Sequence, residues 1–198
     1  VAEGYTAQER QLFIDDAQRI TDSLFACQPF AQYKNRFNVN ALVVPSVESG
    51  TDLPHEGTFK NTALNSSFNT FDSERYLTTL AMRNVYNAAA AEPWDHIIIL
   101  VNSTKYGGGG CYNFQCISTA RNELSAFVTI HEFGHAFAGL GDEYYTSSTS
   151  YENFYSKTFE PWEPNLTALV QFDTKWKQLM DKSTPIPTPR TAEYETKV

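Results

Sequence analysis

Apolar residues along this chain recur either every three to four positions or in short alternating and continuous runs, and the two patterns predict different elements. Thr6 followed by Glu9 forms a capping box, and behind it Phe13, Ala17, Ile20 and Leu24 keep helical spacing until Pro29. A second helix is expected over 73–91, with Leu77, Leu80, Ala81, Val85 and Ala88 on one side and Pro93 beyond. Leu169, Phe172, Trp176 and Leu179 predict a third over 166–180. Phe37, Val39, Ala41 and Val43 alternate against Asn38 and Asn40, which reads as a strand over 37–44 stopped by Pro45. Residues 97–101, Ile-Ile-Ile-Leu-Val, are apolar on both faces and predict a central strand covered on both sides. Residues 1–5 look like the tail of another strand. Strands and helices in alternation argue for an α/β layer with mostly parallel strands. The polar stretch 46–71 is too long for an ordinary connection, and such loops are usually functional or ordered by a ligand.

The chemistry concentrates in 127–145. His131 and His135 stand four apart, so on a helix their rings share one face and can grip one ion. Zn²⁺ accepts neutral imidazole nitrogen and keeps an open position in catalytic sites. Glu132 is placed to reach a water at that position, as a general base does. Ser125 is the expected N-cap, with Phe127, Ile130, Gly134 and Phe137 on the core side. Gly139 or Gly141 supplies the left-handed residue that ends the helix. Asp142, seven residues after His135, then offers a third ligand, with Glu143 as the alternative. Upstream, Tyr106-Gly-Gly-Gly-Gly110 lacks the Gly-Lys-Ser/Thr of a phosphate loop. It fits a close approach of backbone to a ligand, or a sharp turn into an exposed edge. The run 111–120 is expected to be a strand beside the site helix.

These residues resemble the metzincin zinc peptidases, whose pattern is His-Glu-x-x-His-x-x-Gly-x-x-His/Asp. The family's glycine falls where this chain has Ala138 and its third ligand where it has Gly141, so both features stand one residue late here. A longer likeness links the chain to the bacterial zinc peptidases named after immunoglobulin A peptidase. It is carried by His-Glu-Phe-Gly-His-Ala-Phe-Ala-Gly-Leu-Gly-Asp-Glu-Tyr-Tyr (131–145), Tyr-Gly-Gly-Gly-Gly (106–110), Asn-Thr-Ala-Leu-Asn-Ser-Ser-Phe-Asn-Thr-Phe (61–71) and Glu-Pro-Trp-Glu-Pro-Asn-Leu (160–166). The resemblance implies a mixed, mostly parallel sheet with an antiparallel edge strand and a zinc-binding active-site helix, in a secreted or cell-surface bacterial peptidase. It further implies that a polypeptide substrate lies extended along the edge strand, at Gly108, Gly109, Gly110, Cys111, Tyr112 and Asn113. Metzincins also carry a methionine turn below the metal. Met180 is the only methionine downstream and falls in a predicted helix, so a core role is expected for it. With the start at Val1, this points to a fragment of a longer protein. Residues 1–182 are expected to form one catalytic domain and 183–198 a proline-rich extended tail.

Composition narrows the partners. The chain has 198 residues, a net charge of −8 and a pI near 5.0, which argues against nucleic acid. No apolar run approaches the roughly 18–20 residues of a membrane span. Cys111 and Cys116 could close a small disulfide loop or remain free thiols, and Cys27 is expected to be a small core residue. His96 opens a buried strand and reads as structural. His55, in the polar stretch, is not expected to reach the site. The leading function is a zinc-dependent endopeptidase with Glu132 as base and Tyr144, Tyr145 or Tyr151 as candidate oxyanion donors. The competing readings are a zinc amidase on cell-wall or glycan amides and a zinc-stabilised module that binds protein or glycan.

Overall fold

The computed structural model describes residues 1–143 and 155–186. The chain gathers into two compact units, Val1–Gly139 and Leu140–Val198.

The first unit is a four-stranded sheet covered on both faces. Strands β1 (Ala2–Glu3), β4 (Ile97–Val101) and β6 (Gln115–Thr119) run parallel, and β5 (Gly108–Cys111) lies antiparallel at the edge, in the order β1-β4-β6-β5. A two-residue pair, β2 (Ser66–Ser67) with β3 (Thr78–Thr79), stands apart from it. Because side chains alternate along a strand, β4 serves two cores. Ile97, Ile99 and Val101 meet Leu64, Phe68, Leu77 and helix α2 (Met82–Ala89) through Val85 and Ala89. On the other face, Ile98 and Leu100 meet Phe13 and Ile20 of helix α1 (Arg10–Leu24) and Phe133 and Ala136 of helix α3 (Ser125–Ala138). The α/β architecture with an antiparallel edge strand is the one expected. Among the described residues, no helix is long and apolar enough to cross a membrane.

Helix α1 starts as its sequence demands: the Thr6 N–H and hydroxyl donate to Glu9 Oε2 at 2.8 and 2.9 Å. The polar stretch 46–71 is ordered by a carboxylate of the chain itself. Glu3, 0% exposed, accepts the Thr62 hydroxyl at 2.6 Å and the Leu64 and Ser66 N–H groups at 2.8 Å each. A carboxylate buried without such donors would cost several kcal/mol, so the loop and the residue hold each other in place.

Several expected elements are different in the structure. Residues 37–44 form no strand; the Ala2 N–H to Leu42 and Ser46 N–H to Tyr5 bonds are too widely spaced for a ladder, and Val39 is exposed. The helix expected over 73–91 is confined to Met82–Ala89. Its front half is used in long-range pairing: Leu77 donates to Gly108, Thr78 and Thr79 form β3, and Leu80 is left 92% exposed. The run 111–120 is not one edge strand. Gly108–Cys111 is the edge, and Gln115–Thr119 is an inner strand between it and β4. That register answers the cysteine question. Cys116 pairs with Gly110 and Cys111 with Gln115, so the two thiols leave opposite faces of the sheet and stay free. Cys27 is exposed rather than in the core.

The second unit contains no helix longer than single 3₁₀ turns at Phe172–Thr174 and Lys177–Leu179 among its described residues, where a helix over 166–180 was expected. Phe172 is buried against Trp176, ring centroids 4.4 Å apart, but Leu169 takes φ 62° and Leu179 is exposed. The organiser is Lys175 instead. Its Nζ donates to the carbonyls of Pro161 at 2.6 Å, Glu163 at 2.7 Å and Leu166, and lies 3.6 Å from Glu160. An ammonium drawn inward by three carbonyls cannot sit on a helix face turned to water.

Candidate metal centre

Helix α3 carries His131, Glu132 and His135. Its buried stripe is Ser125, Val128, Thr129, Phe133 and Ala136, one position away from the stripe expected. The displacement has a polar cause: Thr129 faces the sheet because its hydroxyl meets that of Ser118 at 2.7 Å and donates to the Ser125 carbonyl at 2.7 Å. Two small hydroxyl residues on the core side hide the stripe from hydrophobic periodicity. Ser125 is consequently inside the helix, and the start is held by Asn122, whose Oδ1 accepts the Leu124 N–H at 3.0 Å. Gly139 makes the left-handed stop, φ 64°, with its N–H on the His135 carbonyl at 3.0 Å.

Phe127, expected in the core, is 66% exposed, and its ring stacks on that of His131 at 6.4 Å. The two imidazoles stand at 87° with Nε2 atoms 3.0 Å apart, and the candidate ligand atoms of His131, Glu132 and His135 lie within 4.8 Å of one another. Two nitrogens bound to one tetrahedral zinc at about 2.0–2.1 Å stand about 3.3–3.4 Å apart, so this pair converges at nearly the bite one ion requires. Both rings are half-buried, open enough for an ion to enter. The donor set fits a zinc-like metal.

The glycine run explains how Glu132 is placed. A Cβ at Gly108 would stand 2.8 Å from Val128 Cγ1 and 2.9 Å from Glu132 Cγ. At Gly110 it would stand 2.5 Å from the Glu132 carbonyl, 2.9 Å from His135 Cβ and 3.2 Å from Glu132 Oε2. Gly107 and Gly109 are closed on other sides by the Phe68 ring and the Arg75 carbonyl, and by the Leu77 carbonyl. Gly108 and Gly110 therefore let helix and edge strand meet with the Glu132 carboxylate lying on bare backbone. Burial first, then the Glu132 charge, push the Cys116 thiol far above its usual range.

The outer edge of β5 is partly covered. The Gly108 N–H and carbonyl bond to the Arg75 carbonyl and Leu77 N–H, each at 3.3 Å. By the two-residue alternation of a ladder, the Gly110 backbone groups face the same way. Tyr112 and Asn113 lie in the β5–β6 turn, whose Asn113 N–H donates to the Ala136 carbonyl at 2.7 Å, fastening the turn to the site helix. His96 is structural as expected, its ring 5.0 Å from that of Phe137. His55 lies 3.9 Å from Asp72 and outside the His131–Glu132–His135 cluster.

Asp142 and Glu143 open the second unit. There Glu143 Oε1 accepts from Asn165 at 2.7 Å. The Tyr155 hydroxyl donates to Glu163 at 2.9 Å, and burial, that Glu163 bond and charge, and the Asp142 charge push Tyr155 up to about 12. Tyr144, Tyr145 and Tyr151 lie outside the described residues. Phe127, whose ring stacks on that of His131, went unnoticed as a site residue in the sequence.

The family profile of IgA Peptidase M64 matches residues 1–198, the whole chain. No curated protein matches the sequence closely enough to count as a relative. A full-length match, and a half-buried His-Glu-His cluster on the helix where a metal can be held, lead to one assignment: the chain belongs to the IgA peptidase M64 family, a family of metal-associated peptidases.

Proposed function

We propose that the protein is a zinc-dependent endopeptidase that hydrolyses peptide bonds of extracellular proteins in the surroundings of a bacterium. The observation that carries this reading is the pairing of His131 and His135 at 3.0 Å with a Glu132 carboxylate laid against Gly108 and Gly110. His131 and His135 would hold the ion, and Asp142, three residues past the Gly139 stop, would complete the set. Glu143 is the alternative, but its carboxylate is already engaged by Asn165. When bound, Zn²⁺ supplies a lowered pKa for water and polarisation of the scissile carbonyl.

Glu132 takes the proton from the attacking water and delivers it to the leaving amine. Its position on a glycine shelf gives the carboxylate a fixed orientation without a neighbouring side chain in the way. The substrate lies extended beside Gly108, Gly109, Gly110, Cys111, Tyr112 and Asn113, with backbone bonds at Gly110 and side chains meeting Tyr112 and Phe127. Residues 1–182 act as one catalytic domain, with 183–198 as a tail. Family membership and the acidic surface fit a secreted or cell-surface setting.

The test is hydrolysis of an unfolded protein by the purified chain, with metal content measured on the same sample. About one zinc per chain, cleavage abolished by chelator and restored by zinc, and a Glu132→Gln variant that keeps zinc but loses cleavage are expected. Loss of zinc in Glu132→Gln equal to that in His131→Ala would make Glu132 a ligand and end the general-base assignment.

A further inference from the structure

The Glu-Pro-Trp-Glu-Pro-Asn-Leu stretch, 160–166, has no part in the chemistry above, yet it is built as a clamp. Inside it, Lys175 gathers the Pro161, Glu163 and Leu166 carbonyls, and the Glu160 carboxylate accepts the Val170 and Gln171 N–H groups at 3.0 and 3.1 Å. Those bonds fix the backbone of 160–166 from within. Asn165 reaches away from them. Its Oδ1 accepts the Gly141 N–H at 2.8 Å, and its Nδ2 donates to the Gly141 carbonyl at 2.9 Å and to Glu143 Oε1 at 2.7 Å. One carboxamide thus uses an acceptor and both donors on the residues immediately before and after Asp142. Packing closes the same joint. A Cβ at Gly141 would stand 2.5 Å from Leu166 Cδ1, 3.1 Å from the Tyr155 hydroxyl and 3.2 Å from Glu163 Cγ.

We infer that Asn165 is a positioning residue for the metal centre: it fixes the backbone that presents Asp142 and keeps Glu143 from taking its place. The inference rests on the reading of Asp142 as third ligand. Two glycines, Gly139 and Gly141, stand between the helix and Asp142, so local stiffness cannot aim that carboxylate. Ordering a loose segment at the moment of binding costs affinity, and a clamp made beforehand removes that cost. Adjacent carboxylates also compete for one ion, and a hydrogen bond to Glu143 biases the contest.

The experiment measures zinc affinity, by competition with a chromophoric chelator, for the wild type, Asn165→Ala, Asp142→Ala and the double variant. Amide exchange of 140–143 is followed in the zinc-free proteins. Asn165→Ala is expected to weaken zinc about 10- to 100-fold, the range typical of groups that orient ligands, and to speed exchange at Gly141. Asp142→Ala is expected to weaken it further, and the double variant to bind no worse than Asp142→Ala. Wild-type affinity in Asp142→Ala removes the third-ligand reading itself. Weakened binding in Asp142→Ala with wild-type affinity or wild-type Gly141 exchange in Asn165→Ala leaves that reading standing and overturns the positioning role. Losses that add in the double variant overturn it too, since Asn165 would then not act through Asp142. Should Asn165→Ala fail to fold, Asn165→Asp and Asn165→Asp/Glu143→Gln decide. The first sets two carboxylates against each other and weakens zinc. The second lets the new amide at 143 donate to the new carboxylate at 165, and affinity recovers several-fold; no recovery overturns the inference.

Discussion

The two units of this chain are held by different forces. In Val1–Gly139 a five-residue apolar strand feeds two cores, and helices lie on both faces of the sheet. The described part of Leu140–Val198 has only 3₁₀ turns, and its backbone is tied by side chains: Lys175 to three carbonyls, Glu160 to two amides, Asn165 to both groups of Gly141. The first scheme spreads stability over many apolar contacts, each replaceable at modest cost. The second concentrates it in a few polar side chains, each of which satisfies several backbone groups at once. The contrast also bears on the proposed ligands: His131 and His135 ride on a helix packed into a core, whereas Asp142, the proposed third ligand, lies in the segment that the polar clamp holds.

The largest expected effect lies in the first unit and concerns chemistry alone. Glu132→Gln should lower kcat about 10²- to 10⁴-fold with zinc content unchanged, the range for removing a general base. Steady-state kinetics on an unfolded protein, with metal analysis, checks it. Next comes the sharpest break of the contrast. Lys175→Met should destabilise the second unit, because Glu160 and three carbonyls lose their cation. Limited proteolysis should then cut within 155–186 while helical circular dichroism, which comes from α1, α2 and α3, holds. Equal loss of both would show that the two units do not differ in this way.

A smaller effect tests the glycine shelf. Gly110→Ala places a methyl against the Glu132 carbonyl and His135 Cβ, and overpacking of this kind costs about 1–3 kcal/mol. Its melting temperature should fall and its zinc affinity with it, whereas Gly57→Ala, where a Cβ meets nothing within 4 Å, should change stability without touching zinc. The smallest effect is a pH dependence. Burial raises the Glu9 carboxyl, but the Thr6 amide, the Ser49 and Thr6 hydroxyls and the Asn102 carboxamide outweigh it and hold the group below its usual 4.5. A carboxyl depressed in the folded state contributes stability above its unfolded value and loses it as pH falls through the folded one. The melting temperature of the wild type should therefore drop more steeply below pH 4.5 than that of Glu9→Gln, read by differential scanning fluorimetry.

Where the determinants are local, the sequence alone determined the outcome. The Thr6–Glu9 box, the apolar run of β4, a glycine stop to the site helix and the four-residue spacing of His131 and His135 follow from a helix or strand acting on its own neighbours. Tertiary structure decided the rest. Helical spacing over 73–81 yielded to pairing with β2 and β5, and that over 166–180 yielded to an inward ammonium. The buried stripe of α3 moved because Thr129 found Ser118, and the glycine run acquired its purpose only when α3 came to rest on it. Each of these depends on a partner distant in the chain, and no periodicity within a segment encodes which partner will arrive.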